Sequence, residues 1–183
     1  MKHALWMLAV LAFCMAPRLA LCQEKAESTA SVIPKRVLQD DLLDKMVGKW
    51  RLTGSFEGQR VNHAVEARWV LNHQFIEIHE KDLTQPKGDA VAYDALVYVG
   101  YEATPQRYVA HWLDVFGGGS ATLGYGKRTE TAIQFDFEYP GQPWLTTFRW
   151  NASTNSWQWL MQTKNKQGLW QEAANMTLLR TSP

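Results

Sequence analysis

Between residues 131 and 139 the chain alternates strictly. Ile133, Phe135, Phe137 and Tyr139 fall on one side of an extended backbone, and Ala132, Gln134, Asp136 and Glu138 on the other. A period of two marks a half-buried β-strand. It recurs as Trp144, Phe148 and Trp150 in 143–151 and as Trp157, Trp159 and Met161 in 156–163. Segments rich in Val, Ile, Thr and aromatics predict further strands near 49–57, 61–71, 74–82, 90–101, 106–116, 120–126 and 168–180. Turn-forming residues separate them, such as Glu57 and Gly58, Asn72 and His73, and Pro140 and Gly141. Only 37–47 carries a helical period: Val37, Leu38, Leu42, Leu43, Met46 and Val47 recur against a face of Asp40, Asp41, Asp44 and Lys45, until Gly48 ends the run.

An open sheet of so many antiparallel strands has two exposed edges, and closure into a barrel removes them and encloses a cavity. The expected fold is therefore all-β: an up-and-down antiparallel β-barrel of about ten strands with one short N-terminal amphipathic helix, which is available to plug or cover one mouth. A two-sheet sandwich is the competing arrangement.

Residues 1–22 change the picture of where such a barrel works. Lys2 and His3 precede an apolar stretch from Ala4 to Ala16, and Ala20-Leu21-Cys22 resembles a small-residue cleavage site, so the expectation is an export signal, followed by a flexible linker over 23–36 and the barrel domain over 37–183. The apolar stretch is short for a membrane span, and no stable membrane insertion is expected after cleavage. Periplasmic or secreted placement follows, with a lipoprotein anchored through Cys22 as the alternative, although Leu21 is a poor residue before a lipidated cysteine. Cleavage takes the charge from 19 basic and 18 acidic side chains to 17 and 18, which gives no electrostatic reason to expect nucleic acid. It also removes Cys14 and Cys22, the only cysteines, so no disulfide, thiol nucleophile or cysteine metal site remains.

Gly48-Lys49-Trp50, directly after the helical segment, resembles the G-x-W signature of lipocalin and calycin barrels. The resemblance implies a tryptophan packed across the barrel base against a basic residue of the last strand, for which Arg180 in Thr177-Leu178-Leu179-Arg180 is the match. The order MVGKW, ARWVLNHQFIEIHE, YVGYEATPQRYVAHWLD and a closing LLR is similar over nearly the whole mature chain to the calycin-like family called domain of unknown function 1579. That family implies a barrel and an enclosed cavity, with no settled activity. A second similarity, to nitrobindin-type haem-binding barrels, implies an iron-holding histidine near the C-terminus. This chain has no histidine after His111, so haem would require a new arrangement built from His63, His73, His79 or His111.

The segment RYVAHWLDVFGGG (107–119) holds the most conspicuous candidate chemistry. Strand alternation places Tyr108, Ala110, Trp112 and Asp114 on one face and Val109, His111 and Leu113 on the other, so His111 and Asp114 do not form an acid–base pair. Tyr108, Trp112 and Asp114, joined by Tyr98, are the expected ligand-binding residues, with Asp114 as polar anchor or as a cap on nearby backbone amides. Glu77 and His79 share a face and could in principle join His63 or His73 in a metal site, but a solvated polar face suits them better, and no metal is expected. Gly117, Gly118 and Gly119 open no helix, so a hairpin or barrel rim is expected rather than a phosphate cradle. The expectation for function is binding of a small, largely apolar molecule in the interior without chemistry and without a cofactor. The alternatives are an enzyme or haem-binding barrel that uses a cavity carboxylate or histidine, and an interaction module of the cell envelope.

Overall fold

The computed structural model describes residues 37–84, 88, 90–139 and 141–181. The expected export signal, the linker and the Cys22 anchor lie outside the described residues. Ten strands follow one short helix: α1 (Asp41–Asp44), β1 (Gly48–Phe56), β2 (Gln59–Val70), β3 (Phe75–Asp82), β4 (Asp94–Glu102), β5 (Arg107–Asp114), β6 (Thr122–Arg128), β7 (Ala132–Tyr139), β8 (Gln142–Asn151), β9 (Ser156–Lys164) and β10 (Trp170–Arg180). Each strand pairs antiparallel with its neighbour in sequence, and β1 pairs with β10 to close the barrel. The sandwich alternative is thereby excluded.

Side chains of one parity fill the interior. Leu52, Val61, Val65, Ile76, Ile78, Val97, Val99, Ala110, Trp112, Ile133, Phe135, Phe137, Phe148, Trp157, Trp159 and Leu178 are buried there. Removing each large apolar side chain from water contributes roughly 1.5–3 kcal/mol. Facing rows alternate bulk with space. Phe137 lies across Gly124 of the next strand, where an added Cβ would stand 2.6 Å from the phenyl ring, so β6 carries glycine because its neighbour's ring occupies the room.

The helix is shorter than the apolar spacing predicts. It spans Asp41–Asp44 only, because Asp40 is extended (φ −147°, ψ 106°) and caps it, its carboxylate accepting from the Leu42 and Leu43 amides at 3.0 and 2.9 Å. Residues 37–39 carry no regular structure, and the Leu38 amide donates to the His73 carbonyl at 3.1 Å. This reduced element still closes one mouth. Leu42, Leu43 and Met46 enter the core, while Trp50 Nε1 donates to the Met46 carbonyl at 2.7 Å and Trp69 Nε1 to Asp44 at 2.8 Å.

Arg180 completes that closed end. Its guanidinium lies 4.2 Å from the Trp50 ring centre and donates to the carbonyls of Val47 (3.0 Å) and Lys45 (3.1 Å). Gly48, at φ +132°, passes beneath it: a Cβ there would fall 2.5 Å from an Arg180 nitrogen. Gly48, Trp50 and Arg180 thus form one physical unit, with the guanidinium over the ring.

Candidate functional site

At the end of the barrel away from α1 the interior is not filled. A cavity of about 450 Å³ opens there, within the range of roughly 300–1,000 Å³ usual for small-molecule sites. Its apolar wall comes from Phe56, Val61, Trp112, Phe137, Trp144, Trp159, Met161 and Met176; His63, Glu80, Tyr93, Asp114 and Thr146 are among its polar groups, with Gln59, Arg60, Ser120 and Tyr139. Register explains the mixture. β3 continues the core face of Ile76 and Ile78 into Glu80, which is paired across β2 with Val65 and beside His63.

The aromatic wall is built from ring–ring contacts. Trp112 meets Trp159 edge-on at 5.7 Å and Phe137 at 6.0 Å, Phe56 stacks on Trp144 at 5.9 Å, and Tyr93 lies between His63 and Phe116 at 5.8 and 6.2 Å. Phe116 stands at the rim, 73% exposed, at the start of the glycine bend. That bend is a turn as expected: the Gly117 amide bonds the Asp114 carbonyl and the Ser120 amide the Gly117 carbonyl, each at 3.0 Å. Its residues Phe116 and Ser120 edge the cavity.

Glu80 is the most deeply placed acid of this site, 4% exposed. His63 Nδ1 lies 2.5 Å from its carboxylate, and His63 Nε2 lies 3.7 Å from Asp82. Burial pushes the Glu80 carboxyl above the ordinary glutamate range, and His63 offsets part of that. Tyr93 accepts from Trp112 Nε1 at 3.3 Å. Burial first, and then the nearby charges of Glu80 and Asp114, raise its phenol, so it stays protonated as a donor. Among the described residues, two buried polar groups of the wall have no partner: the Thr146 hydroxyl and Trp159 Nε1, on residues 1% and 0% exposed. A buried donor left unpaired costs about 1–3 kcal/mol.

No protein-family model matches this chain, and no curated protein matches it. The function must therefore be argued from the site itself.

The structure brings together two of the four expected ligand-binding residues. Trp112 and Asp114 line the cavity, and Asp114 also caps the bend by accepting from the Phe116 amide at 2.9 Å. Tyr108 faces inward at the opposite, closed end, where it and Arg128 both donate to Asp40. Burial and that carboxylate raise its phenol well above the ordinary range. Tyr98 is on the outer face, donating to Glu77 at 2.9 Å, because Val97 and Val99 take the inward positions of β4. His111 is likewise outside, edge-on to Phe75 at 6.3 Å, so it supplies no catalysis to the interior.

The other described histidines are engaged away from the cavity. His79 pairs with Asp94 on the outer face at 2.7 Å, and His73 stacks on Trp69 beyond the closed end. Of the described histidines only His63 borders the cavity, and both its ring nitrogens face carboxylates. The described residues hold no cluster of three or more His, Cys, Asp or Glu side chains suited to a metal ion. Glu77 is engaged by Arg68 at 2.8 Å and Tyr98 on the outer face. Sequence reasoning passed over Glu80, Tyr93 and Thr146, weighed His63 only as a metal or haem ligand, and assigned Trp159 to plain core.

Proposed function

We propose that this chain is an exported, calycin-like barrel that binds one small, largely apolar molecule in its interior and does not transform it. The observation that carries this reading is the aromatic cavity of about 450 Å³ at one end of an otherwise filled barrel, its wall holding two buried polar groups without partners. A wall that only packed against itself has no reason to leave that volume open. Support for export comes from the positive start, apolar stretch and small-residue boundary over 1–22. Support for the calycin-like reading comes from Arg180 stacked on Trp50 above Gly48 at the closed end.

Affinity comes mainly from the apolar wall, and orientation from the few polar groups. The test is native mass spectrometry of the protein as purified, with its visible spectrum recorded alongside. One recurrent small-molecule mass per chain, without a haem band, is the expected result. A haem band, or failure to retain or take up any apolar molecule, overturns the reading.

A further inference from the structure

Resting on that reading, we propose that the occupant is an organic cation: a protonated amine on an apolar, ring-bearing body, with an oxygen acceptor at the end opposite the amine. Two independent features carry this. The first is the sign and depth of the cavity's charge. Glu80 and Asp114 are its acids, and Tyr93, Trp112 and Phe116 present rings beside them. Carboxylates among aromatic faces are the usual recognition chemistry for ammonium groups, because both attract positive charge once water is excluded. Arg60 is the one permanent cation of the lining among the described residues; it sits exposed at the rim, where solvent screens it. His63, which faces the same space, bonds one carboxylate oxygen of Glu80 and lies 3.7 Å from Asp82, and Tyr139 also lines the cavity.

The second feature is the pair of unpartnered groups. Both atoms are shut off behind the wall, so only an occupant around which the wall shifts meets them; Trp159 Nε1 can only donate and the Thr146 hydroxyl can donate as well, and an acceptor on that occupant satisfies them. Donor groups on one wall and carboxylates on another ask for opposite chemistry at the two ends of one ligand. The raised pKa of Glu80 agrees with this: its buried charge is only partly compensated within the protein, and a bound cation supplies the remainder.

Isothermal titration with four probes on one ring system tests the proposal: a methoxynaphthyl-ethylamine, the matching alcohol, the matching acetate, and the amine with ethyl in place of methoxy. The amine is expected to bind about tenfold more tightly than the alcohol, as one charge-assisted contact provides, with the acetate weakest and the ethyl amine several-fold below the methoxy amine. Glu80→Gln with Asp114→Asn is expected to abolish the amine's advantage and leave the alcohol unchanged. Asp114→Asn alone, at the rim, is expected to reduce it in part and serves if the double variant does not fold. Binding of the alcohol or acetate as tightly as the amine, or an advantage that survives both substitutions, overturns the cation assignment and leaves the cavity reading standing. Binding of none of the four overturns both.

Discussion

Asp40 is the residue on which the closed end depends most, and its replacement by alanine has a magnitude that the structure allows to be worked out. The side chain is buried and carries four bonds: the Leu42 and Leu43 amides of α1, Arg128 at 2.6 Å, and the Tyr108 hydroxyl. Losing the cap costs about 1 kcal/mol. Losing the charge-assisted contact to Arg128, whose side chain is 24% exposed, costs about 1–2 kcal/mol, since Arg128 keeps Asp41 at 3.1 Å. Stranding the Tyr108 hydroxyl beside the core adds about 1–2 kcal/mol. Asp40→Ala should therefore destabilise by about 3–5 kcal/mol, which in a domain of this size lowers Tm by roughly 6–20 °C. Asp40→Asn preserves the acceptor oxygen and should lose about half as much. Urea unfolding followed by tryptophan fluorescence gives the free energies, with Asp41→Ala, at an exposed neighbouring site, as the control. If Asp40→Ala and Asp41→Ala unfold at the same denaturant concentration, Asp40 is an ordinary helix-face aspartate and the account of the closed end is wrong.

Other outcomes follow from the same structure. Arg180→Ala removes two hydrogen bonds to the carbonyls of Val47 and Lys45 and the cation over Trp50, and should cost about 2–3 kcal/mol by chemical denaturation, with Arg180→Lys recovering little of it because the planar fork is lost; full recovery by lysine would contradict the stacked geometry. Thr146→Val replaces a buried hydroxyl that has no partner with a methyl group, and should stabilise the ligand-free protein by about 1–2 kcal/mol in thermal melts, whereas a loss of stability would mean that the hydroxyl is in fact satisfied. Because Glu80 is raised in the folded state, the native protein binds more protons than the unfolded chain between the ordinary glutamate value and the raised one. Its contribution to stability is complete below the ordinary value and is lost as pH rises through the raised one. Glu80→Gln should flatten that decline and exceed the parent in stability at neutral pH; an unchanged slope would reject Glu80 as its source.

Strand alternation carried most of the fold because each strand of a closed barrel has one wet and one dry face, and ten such strands leave a visible period of two. Alternation in 107–114 was enough to separate Trp112 and Asp114 from His111, since these residues share a continuous strand. It failed for Tyr98 because the inward parity of β4 is set by its pairing with β3 and β5, which the single strand does not display. Tyr108 has the right parity but the wrong end of the barrel, a distinction that depends on which mouth α1 covers. Asp40 looked like one more acid of a polar helix face, as its partners Tyr108 and Arg128 lie 68 and 88 residues away. Glu80 did carry a signal: it continues the core face of Ile76 and Ile78, and an acid on that face calls for an explanation. The orphaned Trp159 and Thr146 groups carried none, because lacking a partner is a property of the folded surroundings alone.

The central claim is that the open end of the barrel is a ligand site, and dye uptake by the parent protein and by Met161→Trp tests it most directly. Met161 borders the cavity, and an indole in its place takes up much of the free volume. With the neutral dye N-phenylnaphthylamine, the parent should show one saturable site per chain, with energy transfer from its tryptophans. Met161→Trp, folded and of comparable Tm, should lose that site. Equal uptake by both proteins, or no saturable uptake by the parent, would contradict the claim.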